Sequence, residues 1–352
     1  MKRTFSFEGL SKYRNVLMGL QILLLILFHF TEDCKLYDVR YDGFVYLFYK
    51  YIHSSGVDLF LMLSGLGLYF SWKKKPPVKA FYRKRFERIL IPYVIVAVPA
   101  WLWLDIIYEK AGALSFLGDI SFISFFFEEK RWFWYILMAA VCYVIFPYIF
   151  KVIEEAGNKT GEWMRVAGLC CFTTVILMML QLYHNDLYVN ISIAVSRFPA
   201  FFIGVWLGKA AWEKRTMRVR NVFLMAAFSV ILAWPLQFID QKIFGVYTAA
   251  FLNFSLCLLL VEALGFFSDS RQPKLIRRGC LTLKNGLAWC GKYTLELYLI
   301  HVAVRKIMKA LGYYTYRLSY EAVMIVLSLV LAVLLSRLTG WVIYRRRRPE
   351  IK

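Results

Sequence analysis

Charge-free apolar runs long enough to cross a lipid bilayer recur along this chain. Residues 166–183 read VAGLCCFTTVILMMLQLY, and several other windows extend for about 17 or more residues without a charge. In lipid such a run must satisfy its own backbone hydrogen bonds, which for a single segment means a helix. Apolar residues make up 60% of the 352-residue chain, against roughly 45–50% in a soluble domain. The expected architecture is all-α: a polytopic integral membrane protein, a single membrane domain over residues 1–352, with 345–352 a basic tail.

About ten spans are expected from run length: Asn15–Phe30, Val57–Trp72, Ile89–Tyr108, Trp132–Phe150, Val166–Tyr183, Ile191–Gly208, Val222–Phe238, Val246–Phe267, Gly286–Val304 and Ala322–Tyr344. The basic start MKRTFSFEGLSKYRN lacks a small-residue cleavage site before the first run ends, so an uncleaved span is expected in place of a signal peptide. Alternate connections differ in charge. KKKPPVKAFYRKRFER, KAAWEKRTMRVR, DSRQPKLIRRGCLTLK and the tail YRRRRPEIK are basic, whereas LYHNDLYVN and QFIDQKIFG hold few positive residues. By the positive-inside rule both termini are cytoplasmic. The net charge of +21 then reads as topology plus contact with anionic lipid, and nucleic acid is not expected as a partner. The seven cysteines form no C-x-x-C pair and no Cys/His cluster, so neither a metal site nor a disulfide framework is expected.

This topology brings His29, His53, Asp58 and His301 to one membrane level, on helices distant in sequence; His184, in LYHND, reads as a solvated loop residue. In GKYTLELYLIHVAVR, helical steps of four, three and four put Thr294, Tyr298, His301 and Arg305 on one face. A polar stripe in an apolar helix faces a protein interior or a watery cavity, although Tyr, His and Arg also snorkel at membrane rims. Lys292 and Glu296, four apart, are expected to pair. On the first span Met18, Leu25 and His29 share a face, with Arg14 one turn below. Asp58 opens the second span: it caps that helix with Ser54 or Ser55 nearby, or orients and charge-balances His29. Ser64, Gly65 and Gly67 permit close helix approach. Arg85 and Arg88, three apart at the entrance of the third span, can hold phosphates, or serve only as the charge that sets topology.

Taken together, MGLQILLLILFH, GVDLFLMLSG, RFERILIP, RWFWYILMAAVCYVIFP, SRFPAFFIGVWLGK and GKYTLELYLIH resemble, in order and over nearly the whole chain, the membrane acyltransferase family often called type three. Two departures stand out. The family usually carries Arg or Lys eleven residues before the first-span His, where this chain has Met18, and Thr294 stands where Ser is usual. No fused extracytoplasmic domain is expected after the tenth span. The resemblance implies a multi-pass protein of the bacterial cytoplasmic membrane that O-acylates a cell-surface or exported polysaccharide. Acyl-CoA (acetyl- or succinyl-CoA) would be the cytoplasmic donor, with no metal. His29, Asp58 and His301 would be catalytic, His29 as general base or transient acyl carrier. Arg14, Arg85 and Arg88 would hold the donor, and Ser64, Thr294, Tyr298 and Arg305 would line the acceptor side. Polar intramembrane residues suit a glycan exporter as well; the absence of an inverted repeat speaks against it. A scaffold for glycan assembly would need no aligned His, Asp and Arg.

Overall fold

The computed structural model describes residues 4–39, 57–236 and 242–347. His53, Ser54 and Ser55, and with them the expected serine cap of Asp58, lie outside these residues. The described chain is helical apart from one antiparallel pair of short strands, β1 (Thr4–Ser6) and β2 (Thr216–Arg218). In order, the helices are α1 (Glu8–Lys12), α2 (Arg14–Leu36), α3 (Asp58–Trp72), α4 (Val78–Trp101, continued by a π-helical turn over Leu102–Tyr108), α5 (Ala113–Ile120), α6 (Ile123–Phe127), α7 (Trp134–Glu154), α8 (Lys159–Tyr183), α9 (Asn185–Val195), α10 (Phe198–Trp212), α11 (Val219–Leu236), α12 (Lys242–Phe267), α13 (Lys274–Lys292), α14 (Thr294–Ala310) and α15 (Leu318–Arg347).

Among the described residues, seven helical stretches are long and apolar enough to cross a membrane, against the expected ten. Asp58–Trp72 and Val219–Leu232 are apolar but shorter. The expected ninth span is not one helix. It breaks at Tyr293, where the Thr294 hydroxyl donates to the Gly291 carbonyl at 2.9 Å. That hydroxyl serves a carbonyl at the helix end, where intrahelical partners run out. The sixth span likewise breaks at Ser196–Arg197, just before Pro199. The first span is longer than its charge-free run: α2 continues past His29 to Leu36 and carries Glu32 and Asp33 with it.

Large apolar side chains lie exposed along α8 (Phe172, Val175, Met179, Leu182) and α15 (Val323, Val326, Val330, Leu334), as helices bordering lipid require. Inside, glycines let backbones touch. A Cβ on Gly291 would lie 1.8 Å from the Asn15 carbonyl oxygen, and one on Gly19 would lie 1.7 Å from that of Leu287, so α2 and α13 cross at these two residues. Gly65 and Gly204 play the same part between α3 and α10, where a Cβ on Gly204 would sit 2.3 Å from the Met62 oxygen. Gly291→Ala is therefore expected to lower the thermal midpoint in detergent by the equivalent of about 1–3 kcal/mol or more. Gly286→Ala, on the same helix with nothing within 4 Å, should hold or slightly raise it; equal midpoints for both variants would refute the crossing.

Polar contacts tie together the helix ends that border the basic connections. The Phe7 N–H donates to the Arg215 carbonyl at 3.1 Å, sealing the β1–β2 pair. Glu162 receives both Arg215 guanidinium nitrogens at 2.6 and 2.7 Å and pairs with Lys209 at 3.0 Å, while the Tyr69 hydroxyl donates to Glu154 at 2.8 Å. These contacts define the N-terminal end of the bundle. The far end holds the polar centre described next.

Candidate active site

At the far end, α2 and α14 bring His29 and His301 ring to ring, their centroids 5.3 Å apart. His29 borders a cavity of about 380 Å³ whose walls include Glu32, Trp134, Arg197, Tyr298 and Arg305. Its Nδ1 lies 3.1 Å from Glu32 Oε2 and 3.2 Å from Arg305 Nη1. When that nitrogen carries its proton toward Glu32, Nε2 keeps a lone pair.

His301 is fully buried, one ring behind the cavity wall, with Tyr298 edge-on at 6.0 Å. Its Nδ1 lies 2.9 Å from the Leu297 carbonyl oxygen. A carbonyl only accepts, so Nδ1 is the protonated nitrogen and Nε2 is an acceptor. That Nε2 is buried without a partner among the described residues.

Arg305 organises the centre. It donates through Nε to Asp33 at 2.8 Å, and through Nη2 to the His29 carbonyl and to Glu32, each at 3.1 Å; Nη2 also meets Asp33 directly. Asp33 is wholly buried, pairs with Lys309 and accepts from the Thr315 hydroxyl at 2.5 Å. The two acids and two bases offset one another in charge, as burial of ions demands.

Asp58 does not orient His29. It is wholly buried, and its contact is with Arg197 Nη1 at 2.7 Å, at the α9–α10 break. Asp58 begins α3, and that position turns its carboxylate toward α10; the carboxylate in contact with His29 is Glu32, on the same helix, and Asp33 joins through Arg305. Arg197, paired with Asp58, lines the cavity wall. Ser64 is half-buried within α3 and is not part of that wall. Thr294 is spent on the Gly291 carbonyl at the helix break, whereas Tyr298 and Arg305 line the cavity. His184 is exposed at the α8–α9 junction.

At the N-terminal end the three arginines separate. Arg88 forks onto the wholly buried carboxylate of Glu296 at 2.5 and 3.1 Å. The expected Lys292–Glu296 pair is therefore replaced. The break at Tyr293 takes the two residues off a common helix face, and Lys292 lies over the Tyr293 ring instead. Arg14 donates to the Leu63 carbonyl at 3.1 Å and packs its guanidinium where Gly67 has no side chain. Arg14 and Arg85 lie within electrostatic reach of one another, both close to Tyr143. Arg85 stacks over Phe81, and its Nε is buried without a partner among the described residues. Among the described residues Arg14 and Arg85 therefore have no carboxylate partner, whereas Arg88 does. Met18, between Arg14 and His29, packs against the apolar core. Among the described residues no group of three or more His, Cys, Asp or Glu could hold a metal ion.

The family model of the acyltransferase domain matches residues 13–344. No curated protein and no solved structure gives a significant match.

Proposed function

Because the chain belongs to acyltransferase family 3, we propose that it is a membrane O-acyltransferase moving an acetyl or succinyl group from cytoplasmic acyl-CoA to a hydroxyl of a cell-surface or exported glycan. The observation that carries this reading is His29, ring to ring with His301 and held by Glu32 and Arg305 beside a cavity at one end of the bundle. Arg14 and Arg85 stand toward the opposite end. On this reading the N-terminal end faces the cytoplasm, as its basic connections require, and the cavity faces outward in a bacterial cytoplasmic membrane.

His29 Nε2 takes the proton of the acceptor hydroxyl as its oxygen attacks the thioester carbonyl. The C–O bond forms, the C–S bond breaks, and the leaving thiolate recovers the proton from the imidazolium. Glu32 steadies that imidazolium, and Arg305 fixes Glu32 and the His29 backbone carbonyl. Tyr298 and Trp134 offer apolar faces to a sugar, and Arg197, neutralised from behind by Asp58, offers donors to its oxygens.

The test is purified protein with isotopically labelled acetyl- or succinyl-CoA and candidate glycans, ester formation being followed by mass. Movement of glycan across vesicles with no ester from any acyl-CoA would overturn the enzyme reading in favour of export. Arg85→Ala is expected to weaken donor binding about 10–100-fold, the worth of a charge-assisted hydrogen bond, with the remaining affinity less sensitive to salt than that of the wild type. Arg88→Ala should chiefly lower thermal stability, because it leaves Glu296 buried and unpaired. The reverse pattern would return the donor role to Arg88.

A further inference from the structure

A second hollow lies away from the histidines, between α8, α10, α11 and α12. It has a volume of about 640 Å³, and its walls include Val166, Ala167, Cys170, Ile203, Phe228 and Phe251. The hydroxyls that reach it are turned inward. The Thr174 and Tyr247 hydroxyls lie 2.6 Å apart and 3.0 and 2.9 Å from the Cys170 carbonyl, so one donates to the other or both donate to that carbonyl, and Ser229 donates to the Met225 carbonyl at 2.8 Å. A wall so spent offers an occupant hydrocarbon contact and no hydrogen bond.

Trp163 borders this hollow and also a second one, of about 620 Å³, at the N-terminal end of the bundle. The second is basic: Lys159, Lys214, Arg215 and Arg218 line it, with Glu213. Arg215 is offset by Glu162 and Glu213, and Lys209 by Glu162. Lys159, Lys214 and Arg218 have no carboxylate within ion-pair distance among the described residues. Three such cations therefore line a hollow that shares the Trp163 wall with the greasy slot, and the Trp163 and Trp206 rings stand 4.1 Å apart there. Trp163 is exposed, as a tryptophan at the level of lipid headgroups is, whereas Trp206 is buried and donates to Glu162 at 3.1 Å.

We propose that these two hollows form one site for an anionic glycerophospholipid of the leaflet at the N-terminal end. Its acyl chain lies in the slot between α8, α11 and α12, and its phosphate meets Lys159, Lys214 and Arg218. A hydrocarbon slot adjoining surplus positive charge at Trp163 matches a lipid carrying both parts; a zwitterionic headgroup brings an ammonium among the same cations. The site stands clear of His29 and His301, so it does not depend on the acyl-transfer reading.

Native mass spectrometry of the purified full chain reads it directly. Phosphatidylglycerol and phosphatidylcholine of identical chains are offered at equal concentration, with inorganic phosphate as a third arm. Phosphatidylglycerol is expected to be retained at least tenfold better. Lys159→Ala, Lys214→Ala and Arg218→Ala should each cost about fivefold, and all three together about 10²-fold, since each basic residue near a charged headgroup adds a comparable increment. Ala167→Trp, which fills the slot and leaves the cations, should reduce retention of both lipids, and free phosphate should displace neither. Equal retention of the two lipids, full retention by the triple variant with an unchanged thermal midpoint, or displacement by phosphate alone would each overturn the proposal.

Discussion

His29→Ala is expected to reduce ester formation by about 10²–10⁴-fold, the usual contribution of a general base, while the protein remains folded. The ring stands at the wall of a cavity, and its side chain is 20% exposed, so its loss leaves no sealed void. The neighbours stay paired without it, because Arg305 keeps Asp33 and Glu32. His29→Gln should fail as badly, since an amide occupies the space but cannot take a proton near neutral pH. The measurement is the initial rate with labelled acyl-CoA, beside the thermal midpoint of each variant in detergent. A His29→Ala protein that keeps the wild-type rate would remove His29 from the chemistry. His301, its Nε2 unpartnered 5.3 Å away ring to ring, would then be the base to test.

Membrane embedding and the helical stripe were legible in the sequence because both follow from local rules. A charge-free run declares a span, and steps of three and four align Tyr298, His301 and Arg305 whatever packs against them. The partners of these groups were not legible. A hydropathy window closes at the first charge, so the run ending at Phe30 hid Glu32 and Asp33, although they follow His29 by three and four residues on the same helix. Asp58 and Arg197 are 139 residues apart, and Arg88 and Glu296 are 208 apart. Which carboxylate meets which arginine depends on how α3, α4, α10 and α14 cross, and glycines decide that by close approach. The break at Tyr293 had a visible sign, a threonine three residues after Gly291, but only the packed structure shows that this hydroxyl is spent on backbone.

Arg305→Ala is expected to cost about 3–5 kcal/mol of stability, the penalty for stranding a buried charge. Asp33 is wholly buried and takes two guanidinium nitrogens, Lys309 and Thr315. Removing the arginine leaves the wholly buried Asp33 to Lys309 and Thr315 alone, while Glu32 stays at the cavity wall. Loss of folded protein would by itself say nothing about chemistry, so Arg305→Lys separates the two roles. An ammonium restores the charge that offsets Asp33, yet it lacks the planar fork that reaches Asp33, Glu32 and the His29 carbonyl together. This variant should recover most of the thermal midpoint while its rate stays well below wild type, because nothing then holds the His29 ring toward Glu32. Supplying guanidinium ion in solution should raise the rate of Arg305→Ala if the variant folds, since the cavity opens onto Arg305. A wild-type rate in Arg305→Lys would mean that the site needs only positive charge there, and that the fork holding His29 contributes nothing to transfer.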